Sequence, residues 1–163
     1  MEESMKKQTW LALVFVLVIL LSLSACGGGA PKVDWDLTIS GDVDSPLTFS
    51  YQDLAAMDQV DLTEILMEKT TGEDEVTSWS GVSLDSLLAL AGVDDFSTIT
   101  ALAEDGYAVE MAAGDLNNAI VALKDGGEWI AEVTPDKGPI RLVTPDTPAN
   151  RWVFQITEIQ VNQ

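Results

Sequence analysis

The chain has 163 residues, of which 27 are acidic and 8 are basic, so its formal net charge is −19. This acidic excess argues against a nucleic-acid partner, because binding to phosphates depends on lysine and arginine. The sequence contains no histidine and a single cysteine, which excludes a Ser-His-Asp triad, a Cys-His pair, histidine metal ligands and an intramolecular disulfide.

The first 25 residues have the pattern of a bacterial lipoprotein signal peptide. Two lysines precede an apolar stretch, Trp10 to Leu21, which is too short for a membrane-spanning helix of roughly 20 residues. Small residues then lead to Cys26, as expected before a cleavage site. We therefore predict that residues 1–25 are a signal peptide and that Cys26 is the lipidation site. The alternative is an uncleaved anchor helix with an incidental cysteine.

Lipidation of Cys26 would determine where the protein works. Each acyl chain contributes about 0.8 kcal/mol per buried CH₂, so a cysteine that carries two or three chains anchors a protein firmly. Residues 26–34 include three consecutive glycines and are predicted to form the lipidated cysteine and a flexible tether. The expected location is extracytoplasmic, attached by lipid to a bacterial membrane. The sequence leaves open which membrane of the envelope this is.

The first half of the remaining chain predicts short strands and one helix. Strands are predicted over residues 33–40, 46–49, 60–67 and 75–79. Ser50, with Asp53 three residues later, predicts the N-terminal cap of a short helix. The last two strands flank a polar, glycine-containing turn, which predicts a hairpin.

The second half continues in the same way. Ser83 begins the clearest predicted helix, whose leucines recur with helical spacing before Gly92. Strands are predicted over residues 97–103, 107–111, 119–123, 140–143 and 151–161, and a single helical turn over residues 115–118. Because strands dominate and do not alternate regularly with helices, the predicted fold class is α+β, in one mixed, strand-rich domain over residues 35–163.

Five short sequence stretches of this domain occur in a characteristic order and spacing. They are Leu37-Thr38-Ile39-Ser40-Gly41, Trp79-Ser80-Gly81-Val82-Ser83-Leu84 followed by Leu87-Leu88, Asp105-Gly106-Tyr107, Gly138-Pro139-Ile140-Arg141-Leu142-Val143-Thr144-Pro145, and Arg151-Trp152-Val153 with Ile156 and Ile159. In this order and spacing they resemble the sulfite-oxidase-type molybdopterin-binding domain family. The resemblance runs from about residue 35 to residue 162.

The resemblance implies a strand-rich α+β fold with short helices around a molybdopterin cofactor. In enzymes of the family, a cysteine thiolate ligates molybdenum from the strand after the first helix. The matching stretch here, Gln59 to Trp79, has no cysteine, and Leu66 and Met67 lie in it instead. Neither side chain replaces a soft thiolate. We therefore expect no bound metal and no cofactor, with molybdopterin as the alternative that the resemblance allows.

Four residues are candidates for binding a cofactor or another anion. Arg141 and Arg151 offer guanidinium groups, which bind phosphates, carboxylates and other oxyanions but also form structural ion pairs. Asp105 and Tyr107 can face a pocket, or the Asp-Gly pair can simply form a turn. Catalytic residues are not predicted.

The tryptophans allow two interpretations. Trp79, Trp129 and Trp152 can form an aromatic wall around a ligand, but tryptophans with strand spacing more often belong to a core. A deep pocket lined by Arg141 and Asp105 would favour ligand binding, whereas an exposed apolar patch would favour a scaffold.

The predicted function is a non-catalytic, lipid-anchored module that binds a small anionic ligand or an envelope protein. The first alternative is a molybdopterin-dependent oxidoreductase or electron-transfer component, in which the cofactor's dithiolene alone, or a partner subunit, compensates for the missing ligand. The second alternative is a scaffold protein of the bacterial envelope. The nature of the ligand, the partner and the oligomeric state are not specified by the sequence.

Overall fold

The computed structural model describes residues 29–163. The predicted signal peptide and Cys26 lie outside these residues. Within them, no helix combines the length and the apolar character needed to cross a membrane. Ala30 and Val33, which belong to the predicted tether, are partly buried against the core, and the Gln52 side chain donates a hydrogen bond to the Pro31 carbonyl oxygen. The tether as predicted therefore includes residues that contact the domain.

Strands dominate the described chain, as the sequence predicts, and the helices are short. The order is β1 (Asp36–Gly41), β2 (Leu47–Ser50), α1 (Tyr51–Ala56), β3 (Val60–Met67), β4 (Glu75–Ser83), α2 (Leu84–Leu90), β5 (Thr98–Ala103), β6 (Ala108–Ala112), β7 (Ile120–Asp125), β8 (Glu128–Trp129), α3 (Ile130–Val133), β9 (Arg141–Val143) and β10 (Ile156–Asn162). Single 3-10 turns lie at Ala113–Asp115 and Ala149–Arg151. The predicted α+β class is confirmed.

The first sheet has the strand order β2-β1-β10-β5-β6. β1 pairs in parallel with β10, and the other neighbouring strands are antiparallel. Gly41, at the end of β1, has a φ of +86°, and a Cβ built on it would lie 2.3 Å from the Val161 carbonyl oxygen. Only glycine allows β1 and β10 to approach this closely.

The second sheet has the order β3-β4-β7-β8, and β9 also pairs with β7. β4 shifts register against β7 between Ser80 and Gly81. A Cβ at Gly81 would lie 2.1 Å from the Val121 carbonyl oxygen, so glycine permits the close approach of these strands. The shift lies next to Trp79, which precedes it on β4.

The second sheet is buried on both faces along β7. Val121 and Leu123 belong to the main core, whereas Ile120 and Ala122 belong to a smaller cluster. Because successive side chains of a strand point to opposite faces, the two clusters lie on opposite sides of this strand. The smaller cluster also contains Trp79, Ile130, Val143 and Trp152, and it lies beside the candidate site.

Local signals in the sequence predicted both longer helices. Ser50 and Asp53 form a complete capping box at the start of α1, and the Ser83 hydroxyl accepts a hydrogen bond from the Ser86 backbone at the start of α2. The prediction of a strand over residues 151–161 is wrong in its first part. There the chain turns, and the Trp152 indole donates hydrogen bonds to the Thr144 and Thr147 carbonyl oxygens, so β10 begins only at Ile156. The predicted helical turn at 115–118 lies two residues earlier, at Ala113–Asp115.

Candidate functional site

A cavity of about 550 Å³ opens beside the smaller core cluster. The β3–β4 hairpin supplies one side, and the end of β7 together with the chain from α3 to Phe154 supplies the other. Its lining residues are Met67, Lys69, Thr70, Thr71, Glu75, Thr77, Trp79, Asp125, Ile130, Thr134, Lys137, Arg141, Ala149, Asn150 and Phe154. The cavity therefore combines hydroxyl, charged and aromatic groups.

Arg141 is the buried cation of this cavity, with 6% of its surface exposed. It is the first residue of β9, opposite Ala122 of β7. Its guanidinium carbon lies 3.7 Å from the ring centroid of Phe154, 5.0 Å from that of Trp79 and 5.2 Å from that of Trp152. Aromatic faces attract a cation, so these rings stabilise the guanidinium without neutralising its charge.

No carboxylate of residues 29–163 lies within 4.0 Å of the Arg141 guanidinium, since the ion pairs there are Lys69–Glu75 and Arg151–Asp115. The buried Nε of Arg141 also has no hydrogen-bond partner among these residues. Burial lowers the pKa of Arg141 to about 10, and the nearby Asp125 charge partly opposes this shift. The side chain is thus still a cation at neutral pH, and a donor is left without an acceptor.

The other charged groups of the cavity differ in how they are paired. Burial raises the pKa of Asp125, while the Arg141 charge acts in the opposite direction. Lys69 forms an ion pair of 2.7 Å with Glu75. The Lys137 ammonium lies 5.6 Å from the centroid of the Phe154 ring and has no carboxylate within 4.0 Å in the described chain. Arg141 and Lys137 therefore provide positive charge that an anion can approach.

The remaining candidate residues of the sequence lie outside the cavity. The Asp105 carboxylate accepts a hydrogen bond from the Tyr107 backbone, which closes a turn around Gly106. The Tyr107 hydroxyl donates to the Asn150 carbonyl oxygen at 3.1 Å. Arg151 donates to the Glu110 carbonyl oxygen at 2.7 Å. The structure therefore does not bring Asp105 together with Arg141. Tyr107 contacts the turn that borders the cavity, and Arg151 is the last residue of that turn.

The tryptophans divide between the two core clusters. Trp79 and Trp152 are buried in the smaller cluster and meet edge to face, with ring centroids 6.1 Å apart. Trp79 also lines the cavity. Trp129 lies elsewhere, with its ring centroid 6.4 Å from that of Tyr51.

The sequence did not identify Asp125 and Phe154 as members of the site. Phe154 reaches the site through an isolated bridge with Arg141, and such a pairing across a loop has no local signature. Asp125 ends β7 just before two glycines, and this position at the end of a buried strand is the signal that could have identified it.

The comparisons with known proteins agree with the fold. The family model of the oxidoreductase molybdopterin-binding domain matches residues 28–163 of this sequence. The chain belongs to this family. The resemblance predicted from the sequence is therefore confirmed.

Two matches, one to a protein sequence and one to a solved structure, show how much of a larger protein this domain represents. The NADH nitrate reductase of Volvox carteri is 25% identical over 175 aligned positions, which cover 83% of this chain and 20% of that protein. The crystal structure of the sulfane dehydrogenase SoxCD from Paracoccus pantotrophus matches with a TM-score of 0.70 and 23% identity, over 83% of this chain and 40% of that one. The match thus spans about a fifth of the nitrate reductase and two fifths of the SoxCD chain, and the second match shows the fold alone.

Family membership raises the question of whether these residues fit a molybdopterin cofactor. Met67 lines the cavity, whereas its neighbour Leu66 is 50% exposed and belongs to the other face of β3. Residues 29–163 contain no cysteine and no group of three or more acidic side chains placed to hold a metal ion. A thioether is a poor substitute for a thiolate. The donor set therefore does not fit thiolate-ligated molybdenum, although Arg141 and Lys137 suit an anion.

Proposed function

We propose that this protein is a lipid-anchored, extracytoplasmic binding module that holds a small anionic ligand in the Arg141 cavity and performs no redox chemistry. The observation that carries the proposal is a buried guanidinium with no carboxylate within 4.0 Å in the described chain. A protein with 27 acidic residues has many carboxylates with which to neutralise such a charge. A ligand that supplies the missing anion explains why this arginine is left unpaired.

The energetics support the same proposal. A buried charge without a partner is costly, and a buried donor without an acceptor adds to that cost. A bound oxyanion offsets both, because it brings negative charge and acceptor atoms to the guanidinium. The aromatic rings around Arg141 hold the side chain in place before the ligand arrives, which lowers the entropic cost of binding.

The lipid anchor is part of the proposal because of the signal-peptide pattern before Cys26. Cys26 is the only cysteine, so labelling of the full-length protein with a fatty-acid analogue in a bacterial host reports on this residue alone. We expect label in the wild-type protein and none in Cys26→Ser. Equal labelling of both, or of neither, would contradict lipidation.

The alternative function is that of a molybdopterin-dependent oxidoreductase or electron-transfer component. Membership of the family favours it, and so do Arg141 and Lys137, which suit the phosphate of the cofactor. The missing thiolate and the charge of −19 weigh against it, since the cofactor is itself anionic.

One purification separates the two functions. The protein is produced in a bacterium that synthesises molybdopterin, and molybdenum, extractable pterin and phosphate affinity are measured. We expect far less than one molybdenum and one pterin per chain, and phosphate binding that is lost in Arg141→Met. Stoichiometric molybdenum and pterin would overturn the proposal in favour of the oxidoreductase. Unchanged phosphate binding in Arg141→Met would overturn the assignment of the cavity.

A further inference from the structure

The turn at Ala149–Arg151, hereafter the rim turn, connects the cavity to candidate residues that lie outside it. Ala149 and Asn150 line the cavity, whereas Tyr107 and Arg151 do not. We propose that Tyr107 and Arg151 are positioning residues, which fix the rim turn and thereby set the affinity of the cavity for anions. The part of this inference that concerns affinity depends on the proposed function.

Both sheets hold the rim turn. On the side of the first sheet, the Tyr107 hydroxyl donates to the Asn150 carbonyl oxygen at 3.1 Å, and Arg151 donates to the Glu110 carbonyl oxygen on β6 at 2.7 Å. On the side of the second sheet, the Ala149 backbone N–H donates to the Glu68 carbonyl oxygen, just after β3, at 2.9 Å. The rim turn therefore spans the two sheets at the edge of the cavity.

The middle of the rim turn depends most on Tyr107. Its start is held by Glu68, and its end leads into Trp152, which is buried and hydrogen-bonded to the Thr144 and Thr147 carbonyl oxygens. Asn150, between these ends, receives a hydrogen bond from the Tyr107 hydroxyl, and no other hydrogen bond to its carbonyl is found in the described chain.

Tyr107 is itself held in place for this contact. The Asp105 carboxylate accepts a hydrogen bond from the Tyr107 backbone N–H at 2.9 Å, and Gly106 between them has a φ of +86°, which glycine adopts readily. The Asp-Gly-Tyr turn thus orients a tyrosine that is 49% exposed. A tyrosine that is half exposed contributes little to the core, so its fixed hydroxyl is better explained by the rim turn than by packing.

The position of the rim turn affects the electrostatics of the cavity. Electrostatic attraction between a cation and an anion weakens as water enters and the effective dielectric constant rises. A rim turn that has lost the hydrogen bond from Tyr107, or the one between Arg151 and Glu110, would admit water to the Arg141 guanidinium. The expected result is weaker anion binding without the loss of any group that touches the anion.

The test uses the full-length protein with three substitutions. Tyr107→Phe removes only the hydroxyl, Arg151→Lys keeps the charge but changes the donor geometry, and Thr48→Val is a control that removes the exposed hydrogen bond to Thr38 in the first sheet. Amide hydrogen exchange is followed in a peptide that covers residues 148–153, and inorganic phosphate is titrated calorimetrically. We expect exchange about 5-fold faster and phosphate affinity about 5-fold weaker in Tyr107→Phe and Arg151→Lys, and neither change in Thr48→Val.

Each other result has a definite meaning. Exchange that is unchanged in both variants would overturn the positioning role, whatever happens to phosphate. Faster exchange with unchanged phosphate affinity would show that the rim turn is held but does not set affinity, which also overturns the inference. If the wild-type protein binds no phosphate, the proposed function fails for this anion, while the exchange data still decide whether Tyr107 and Arg151 hold the rim turn.

Discussion

The guanidinium of Arg141 is buried against the rings of Phe154, Trp79 and Trp152, whereas that of Arg151 is half-buried and lies 3.6 Å from the Asp115 carboxylate. The two arginines lie at the two ends of one loop, and the Nε of each has no hydrogen-bond partner within residues 29–163. Of the two, only Arg151 donates a hydrogen bond from a terminal guanidinium nitrogen within the described chain, to the Glu110 carbonyl oxygen on β6. Arg151 therefore stabilises the fold. The burial of Arg141 costs free energy that no carboxylate within 4.0 Å in the described chain offsets.

The largest expected effect comes from the same substitution at both arginines. Burial lowers the pKa of Arg141 from its ordinary value to about 10, which corresponds to a penalty of about 3 kcal/mol on the charged form. Allowing for the lost attraction to the rings, we expect Arg141→Met to raise the free energy of unfolding by about 1–3 kcal/mol. Arg151→Met should lower it by about 1 kcal/mol, because an ion pair and a hydrogen bond are lost.

Urea unfolding at pH 7 measures both values. Urea unfolding at high pH tests whether Arg141 makes the protein more or less stable as the pH rises. Its pKa is lower in the folded state, so above about pH 10 the unfolded chain binds more protons than the folded one. This group therefore makes the protein more stable as the pH rises above about 10. If Arg141→Met lowers the free energy of unfolding as much as Arg151→Met does, the two arginines do not differ in their effect on stability.

A smaller effect is expected from the carboxylate near each arginine. Asp125 lines the cavity and Asp115 pairs with Arg151. Asp125→Asn removes a negative charge that repels an incoming anion, so the dissociation constant for phosphate should fall about 3- to 10-fold at low salt. Asp115→Asn should leave it unchanged. Calorimetric titration with phosphate measures both dissociation constants. If both substitutions increase phosphate affinity equally, the overall charge of the protein governs binding rather than the charge in the cavity.

The smallest effect is expected at Tyr51, a buried polar group away from the cavity. Its hydroxyl is buried and has no hydrogen-bond partner in the part of the chain that the structure describes. Tyr51→Phe should therefore raise the free energy of unfolding by up to about 1 kcal/mol and leave phosphate affinity unchanged. A loss of stability would indicate that the hydroxyl has a partner such as a water molecule.

Alkaline unfolding adds a second check on Tyr51. Burial, followed by the charge of Glu132, raises the pKa of Tyr51 to about 12. The unfolded chain loses this proton first, so Tyr51 makes the protein less stable as the pH rises from 10 to 12. This slope is opposite to that of Arg141. In Tyr51→Phe, the rise in stability with pH that Arg141 causes should therefore be steeper than in the wild-type protein. If stability depends on pH in the same way in both proteins, the hydroxyl is not buried as described.

Local chemistry explains which parts of the molecule the sequence predicted. Ser50 and Ser83 cap their helices through hydrogen bonds to residues three positions away, and β3 and β4 form a hairpin around a polar turn. Such features depend on neighbours in the chain, and sequence patterns record them. The assignment of Arg141 as an anion-binding residue from a family pattern is still a prediction.

The unpredicted parts depend on contacts between distant segments. Phe154 was assigned to a continuous strand, but Trp152 is drawn into the smaller cluster by its indole hydrogen bonds, and the chain bends so that Phe154 covers Arg141. Likewise, nothing near Tyr107 in the sequence indicates that its hydroxyl reaches Asn150. The energy that decides these arrangements comes from tertiary packing, which overrides the local preference for a strand.

The parallel pairing of β1 with β10 has a consequence for the time at which the domain can fold. Trp35, just before β1, donates a hydrogen bond to the Ile156 carbonyl oxygen across 121 positions of sequence, and Thr38 lies opposite Glu158. During synthesis, β1 is made early and has to wait for β10 before the first sheet can close. Closing so long a loop delays folding, and a nascent chain that stays unfolded for this time is compatible with the export proposed above.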